Sequence, residues 1–201
     1  MSRLVIAITG ASAQILAERS IDLLLQANQK IDVILSKGSY QVWQSENGVT
    51  VPVDEKKQEI FWRERLNNNN GEIRCHKWNN NAASIASGSY DTLGMVIVPC
   101  SMGTIGKIAS GCSIDLIERS ADVHLKEGRP LIISPRESPF NLIHLNNMTT
   151  LCKAGAKIIP CIPSWYAKPQ TLDEMIDFMV VRLFDTFDLN LKEINRWTGQ
   201  K

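Results

Sequence analysis

Apolar residues fall in short runs, each broken by a polar turn. Leu4 to Ile8 is a continuous apolar, β-prone run, and Thr9-Gly10-Ala11-Ser12 follows at once. Ile15, Leu16, Ile21, Leu24 and Leu25 then recur at helical spacing, which predicts a helix over Ala13–Gln26 with Ser12 as its N-cap. The unit repeats along the chain. Ile31 to Leu35 predicts a second strand, ended by Ser36-Lys37-Gly38, and a helix over Ser39–Glu46. Met95 to Val98 and Leu131 to Ile133 predict two more strands with a helical stretch between them. They stop at Pro99-Cys100-Ser101 and at Ser134-Pro135-Arg136-Glu137. Residues 51–81 are less regular, with a helix over Asp54–Leu66, a short strand over Ile73–Trp78 and two Asn-rich turns. Helices over Asn141–Ala154, closed by Gly155, and over Leu172–Phe187, capped by Thr171, flank a short strand at Lys157–Ile159. Apolar runs bounded by turn residues are the pattern of strands buried on both faces. The alternation therefore predicts an α/β chain with three layers, Rossmann-like (flavodoxin-like), around a mainly parallel sheet. No linker or internal repeat divides it, so a single domain over residues 1–201 is expected.

Composition narrows the choice by exclusion. With 22 basic and 21 acidic residues the formal net charge is +1, so no bulk field draws the chain to nucleic acid or to a membrane surface. No apolar run reaches membrane-spanning length, and the N-terminus runs from a strand into a glycine turn without a signal-peptide layout. The five cysteines are scattered and odd in number, which suits free thiols in a reducing cytoplasm. His76, His124 and His144 have no partners at metal-ligand spacing, so no metal site is expected. A GxSxG nucleophile elbow is missing, and the first turn reads GASAQI rather than GxGxxG, which argues against a standard dinucleotide site.

Candidate chemistry gathers where the predicted strands end. Ser12, Ser36, the small-residue loop Ala86–Ser89, Ser101, Thr104 and Arg136-Glu137 all lie at strand ends or loops, and ligands bind beyond the carboxyl ends of parallel strands. Arg119 and Lys126 are seven residues apart in a helical stretch and share one face. Hydroxyls, loop N–H groups and cations in one place suit a phosphate-bearing small molecule or nucleotide. Cys100 at a strand end is either a nucleophile or a small buried residue.

The motifs taken together resemble those of the UbiX-type flavin prenyltransferases, formerly known as aromatic acid decarboxylases. They are ITGAS (Ile8 to Ser12), LSK (Leu35 to Lys37), ASGS (Ala86 to Ser89), GMVIVPCSMGT (Gly94 to Thr104), LIERSADVHLKEGRPL (Leu116 to Leu131), PRESPF (Pro135 to Phe140) and SWY (Ser164 to Tyr166). The resemblance spans nearly the whole chain. It implies a metal-independent enzyme that joins a dimethylallyl group, from dimethylallyl monophosphate, to N5 and C6 of reduced FMN. The product, prenylated FMN, serves UbiD-type decarboxylases. A homododecamer with active sites at subunit junctions is also implied.

Carried over by matching motif, Gly10, Ala11, Ser12, Ser36, Ser101, Thr104 and Arg119 would bind FMN, and Ser12 with Glu46 would manage the proton at flavin N5. Ser87, Gly88, Arg119, Lys126, Arg136, Glu137 and Tyr166 would hold the prenyl phosphate. Glu137 would protonate the departing phosphate, and Tyr166 and Trp197 would face the cationic prenyl carbon. One departure stands out: the family reads GASG where this chain has Ala13. If that position needs positive φ, a methyl group strains it. That departure leaves open a non-catalytic flavin-binding relative, and a related flavin-dependent cysteine decarboxylase is a further alternative. The latter is disfavoured because no histidine precedes His76.

Overall fold

The computed structural model describes residues 2–189, 191–192 and 194–199. The strands are β1 (Arg3–Ile8), β2 (Lys30–Leu35), β3 (Glu72–His76), β4 (Thr92–Cys100), β5 (Leu131–Pro135) and β6 (Lys157–Ile158). They form one sheet in the order β3-β2-β1-β4-β5-β6, and every pairing is parallel. The helices are α1 (Gln14–Gln26), α2 (Lys37–Asn47), α3 (Glu55–Leu66), α4 (Met102–Ala109), α5 (Leu116–Lys126), α6 (Leu142–Lys153) and α7 (Leu172–Phe184). Without its edge strand β3 the order is β2-β1-β4-β5-β6, the flavodoxin arrangement. The expected three-layer, mainly parallel fold is therefore what forms.

Side-chain alternation sorts the core. Leu4, Ile6 and Ile8 of β1 join one buried cluster with α1, α7 and the α2–α3 pair Trp43 and Trp62. Val5 and Ala7 point to the other cluster, with Ile105 of α4, Leu116 of α5 and Leu151 of α6. Nearly all of β1 is closed to solvent on both faces, which is why its sequence reads as an apolar run. Asp32 interrupts the matching run in β2 and is fully buried. It accepts from Arg3 Nε at 2.9 Å and from the Tyr90 hydroxyl at 3.2 Å, and pairs with His76 Nε2 at 2.8 Å.

Several boundaries differ from the sequence reading, one of them in kind. The helical stretch between β4 and β5 is two helices. Asp115 starts the second by accepting from the N–H groups of Ile117 (3.0 Å) and Glu118 (3.2 Å). The strand expected to reach Trp78 stops at His76, and the last long helix stops at Phe184, followed by a 3-10 turn at Asp185–Phe187.

The first turn also corrects an expectation. Ser12 does not cap α1, because the helix starts one residue later and Ala13 occupies the N-cap position with φ 81° and ψ 41°. Ala13 has no side chain able to cap. Glu46, from the last turn of α2, does so instead, accepting from the N–H of Ala13 at 3.1 Å and of Gln14 at 2.9 Å. A carboxylate there also meets the positive end of the helix dipole. The left-handed backbone at Ala13 stores roughly 1–2 kcal/mol. Ala13→Gly is expected to raise stability by about 1 kcal/mol. In a thermal melt of a chain this size that is an upward shift of about 2–4 °C.

Candidate functional site

β1 pairs with β2 on one side and with β4 on the other, and the helices that follow them, α1 and α4, cover opposite faces of the sheet. The chain thus opens a crevice above the carboxyl ends of β1 and β4, the switch point of the fold. The turns there are tied together. Thr9 donates to Pro99 O from its backbone N–H (3.2 Å) and from its hydroxyl (2.9 Å), and its hydroxyl oxygen accepts from Ser101 N–H at 2.8 Å. On the other side Ser36 N–H donates to Ile8 O at 2.9 Å. Gly10 and Gly38 lie back to back, so close that a Cβ on Gly10 would sit 3.1 Å from the Gly38 carbonyl carbon.

This brings Gly10, Ala11, Ser12, Ser36, Ser101 and Thr104 to one end of the sheet. Ser36 caps α2, accepting from Ser39 N–H at 3.2 Å, and Ser101 caps α4, accepting from Thr104 N–H at 3.3 Å. The Ser101 and Thr104 hydroxyls are 3.0 Å apart. Glu46, clamped over the start of α1, accepts from the N–H of Ala13, the residue after Ser12. The donor set fits FMN. Helix N-termini and hydroxyls suit its phosphate and ring edges.

A second group forms around the Ala86–Ser89 loop. Arg119, in the first turn of α5, donates from Nε to Ala86 O at 3.2 Å and from Nη1 to Asp122 at 3.1 Å. The Ser87 and Ser89 hydroxyls are 2.9 Å apart. Gly88 packs directly on the far end of α5. A Cβ there would lie 2.1 Å from Glu127 Oε1 and 2.8 Å from Lys126 Nζ, so a side chain would displace the tips of both. Lys126 is ion-paired with Glu127 and holds that carboxyl below its ordinary range. Ser87, Gly88, Arg119 and Lys126 are therefore one cluster, with the two cations on one helix face as their spacing predicts.

Arg136 and Glu137 follow β5 on the surface. Arg136 N–H donates to Cys100 O at 3.2 Å, which sets the pair beside the Ser101 turn. Glu137 Oε1 accepts from Ser138 N–H at 3.0 Å. Tyr166 and Trp197 are elsewhere. Their rings meet edge-on at 6.1 Å, and Tyr166 also packs edge-on against Phe178 of α7 at 5.7 Å. Tyr166 packs on α7, whereas Arg119 and Lys126 are carried by α5. Among the described residues no hydrogen bond, ion pair or ring contact joins the two groups.

Other polar groups near the site are core. Cys100 is fully buried and its thiol is pushed far up by desolvation, so it is core and no nucleophile. His124 is buried and satisfied, with Nδ1 at 2.7 Å from Ser120 O and Nε2 at 2.9 Å from the Thr92 hydroxyl. Among the described residues no group of three or more His, Cys, Asp or Glu could hold a metal ion. Three site residues escaped the sequence reading: Thr9, Gln14 and Arg129. Arg129 donates to Gly88 O at 2.6 Å and to Tyr90 O at 2.7 Å, holding the phosphate-loop candidate from behind. Thr9 and Arg129 act on backbone groups distant in sequence, and Gln14 joins its own turn to Ser39 of α2.

Comparison with known proteins agrees with this geometry. The Flavoprotein family profile matches residues 1–184. A flavin prenyltransferase UbiX from Synechocystis sp. is 45% identical over 197 residues, covering 98% of this chain and 96% of that protein. The crystal structure of AnUbiX (PadA1) in complex with FMN and dimethylallyl pyrophosphate superposes with a TM-score of 0.87 at 36% identity, covering 100% of this chain and 99% of the other. A dodecameric FMN-dependent UbiX-like decarboxylase from Escherichia coli O157:H7 gives 0.84 at 33% identity, covering 98% and 100%. The chain belongs to the Flavoprotein family and, within it, to the UbiX-type flavin prenyltransferases.

Proposed function

We propose that the chain is a flavin prenyltransferase, a single flavoprotein domain that moves a dimethylallyl group from dimethylallyl monophosphate to N5 and C6 of reduced FMN. The observation that carries this reading is full-length similarity at 45% identity to a flavin prenyltransferase. The geometry supports it: hydroxyls and helix N-termini at the β1/β4 switch point can hold FMN, and a cation-flanked loop can hold a phosphate. Reduced FMN supplies the nucleophilic ring positions.

The residues have separable tasks. Breaking the allylic C–O bond leaves negative charge on the departing phosphate. Arg119, Lys126 and Arg136 stabilise it, while Ser87 and the bare backbone at Gly88 shape its pocket. Glu137 delivers a proton to the phosphate. Tyr166 and Trp197 present aromatic faces to the positive prenyl carbon. Ser12 and Glu46 take up the proton that leaves N5. The Glu46 carboxylate, fixed by two backbone N–H groups at 3.1 and 2.9 Å, is already oriented for that relay.

Among the described residues the aromatic pair and the cationic cluster make no direct contact within one copy, which is compatible with a site completed at a junction between copies. Leu142 and Ile143 on α6 are exposed, an apolar surface suited to such a junction. We assign a homododecamer, with dimethylallyl monophosphate as donor and a UbiD-type decarboxylase as consumer of the product. Among the described residues no helix is long and apolar enough to cross a membrane. With free cysteines throughout, a cytoplasmic setting fits.

Strain at Ala13 favours one other reading, a non-catalytic flavin-binding relative. Anaerobic incubation with reduced FMN and dimethylallyl monophosphate separates the two. The expected result is a flavin heavier by one dimethylallyl unit. FMN bound without any adduct would overturn the assignment, and a parallel reaction with the diphosphate identifies the donor. Lys126→Met should raise the KM for the monophosphate about tenfold or more while leaving FMN occupancy unchanged.

A further inference from the structure

Gln14, the first residue of α1, is a polar side chain with no exposure at all, in a position where a helix usually meets solvent or core. Its amide is fully used. Nε2 donates to Thr9 O at 2.8 Å and to Ala11 O at 2.6 Å, and Oε1 accepts from the Ser39 hydroxyl at 3.1 Å. Two carbonyls on one side and a hydroxyl on the other fix which amide atom is nitrogen.

These partners belong to different strand ends. Thr9 and Ala11 lie in the turn after β1. Ser39 is in the first turn of α2, is itself fully buried, and donates its N–H to the Ser36 cap at 3.2 Å. Thr9 in turn reaches the turn after β4, through Ser101 N–H at 2.8 Å and Pro99 O at 2.9 Å. A continuous hydrogen-bonded path therefore runs from Ser36 through Ser39, Gln14 and Thr9 to Ser101. It joins the turns that carry Ser12, Ser36 and Ser101.

We propose that Gln14 is a positioning residue that locks these turns in register before flavin arrives. The inference rests on the reading of these turns as the flavin site. Loops are the mobile part of an α/β fold, and binding that must first order them loses affinity. A buried amide with both hydrogens and its oxygen engaged removes that freedom in advance. Ala13 makes the lock more important in this chain. Its left-handed backbone lies directly between Ser12 and Gln14, so the strain there is restrained on one side by Gln14 and on the other by Glu46.

The test compares the native protein with Gln14→Met, a side chain of similar length that neither donates nor accepts strongly. FMN titration by fluorescence should show affinity about tenfold weaker in the variant. The KM for dimethylallyl monophosphate at saturating FMN should stay within about twofold, since the phosphate loop is not on the path. Hydrogen exchange on the flavin-free protein gives a readout independent of flavin. Exchange at Ser39 and Ser101 N–H should accelerate, and at Leu116 N–H, bonded to Trp78 O at 2.8 Å off the path, it should not. A lower melting temperature with FMN affinity and these exchange rates unchanged would reduce Gln14 to a packing residue and overturn the proposal. Ser39→Ala, which cuts only the link to α2, is the second variant should Gln14→Met not fold. It should weaken FMN binding in the same direction, and unchanged binding and exchange would also overturn the lock. If the native protein itself fails to bind FMN, the flavin reading falls, and the exchange comparison still decides whether Gln14 locks the turns.

Discussion

Parallel pairing is the constraint on which the rest depends. Every strand of this sheet runs the same way, so every strand ends, and the helix after it begins, on one edge. Strand ends release backbone groups and helix starts present unpaired N–H groups, and both point into the same space. The crevice between β1 and β4 exists because the connections after these neighbours leave to opposite faces. No residue had to be placed there individually. Once the sheet forms, Gly10, Ser12, Ser36, Ser101 and Thr104 arrive together.

The first turn shows how tightly that edge is drawn. Gly10 meets Gly38 backbone to backbone, and Ala13 adopts a conformation that L side chains avoid. Such strain persists only where the surroundings over-determine the backbone. Here the surroundings are Glu46 on the N–H groups and Gln14 on the carbonyls of the same turn. The serine expected to cap the helix is thereby left outside it. A hydroxyl released from capping is the more useful one beside a flavin.

The two halves of the proposed site are built by different means. The flavin half uses turns joined by backbone hydrogen bonds across neighbouring strands. The phosphate half uses one face of α5 against a glycine whose missing side chain makes room for Lys126 and Glu127. The aromatic residues Tyr166 and Trp197 stand apart from both, on the α7 side.

Much of this was legible in the sequence. Strands buried on both faces must be apolar throughout, so their runs and the turns that end them can be read directly, and with them the fold class and the positions of Ser36, Ser101, Arg119 and Lys126. A cap that depends on a neighbouring residue, as at Thr171, is local and also readable. Asp32, Thr9, Gln14 and Arg129 were not. Each has a partner that lies far away along the chain: Asp32 meets Arg3 and His76, Thr9 meets Ser101, Gln14 meets Ser39, and Arg129 meets Gly88. The capping of α1 by Glu46 is of the same kind, spanning 33 positions. The sequence determined the strand and helix units, their parallel class and the family, because burial and helix periodicity act over a few residues. Only the tertiary structure decided which polar groups close each turn and which helix the aromatic pair packs on, because hydrogen bonds and packing depend on distance in space, and the folded sheet alone sets that distance.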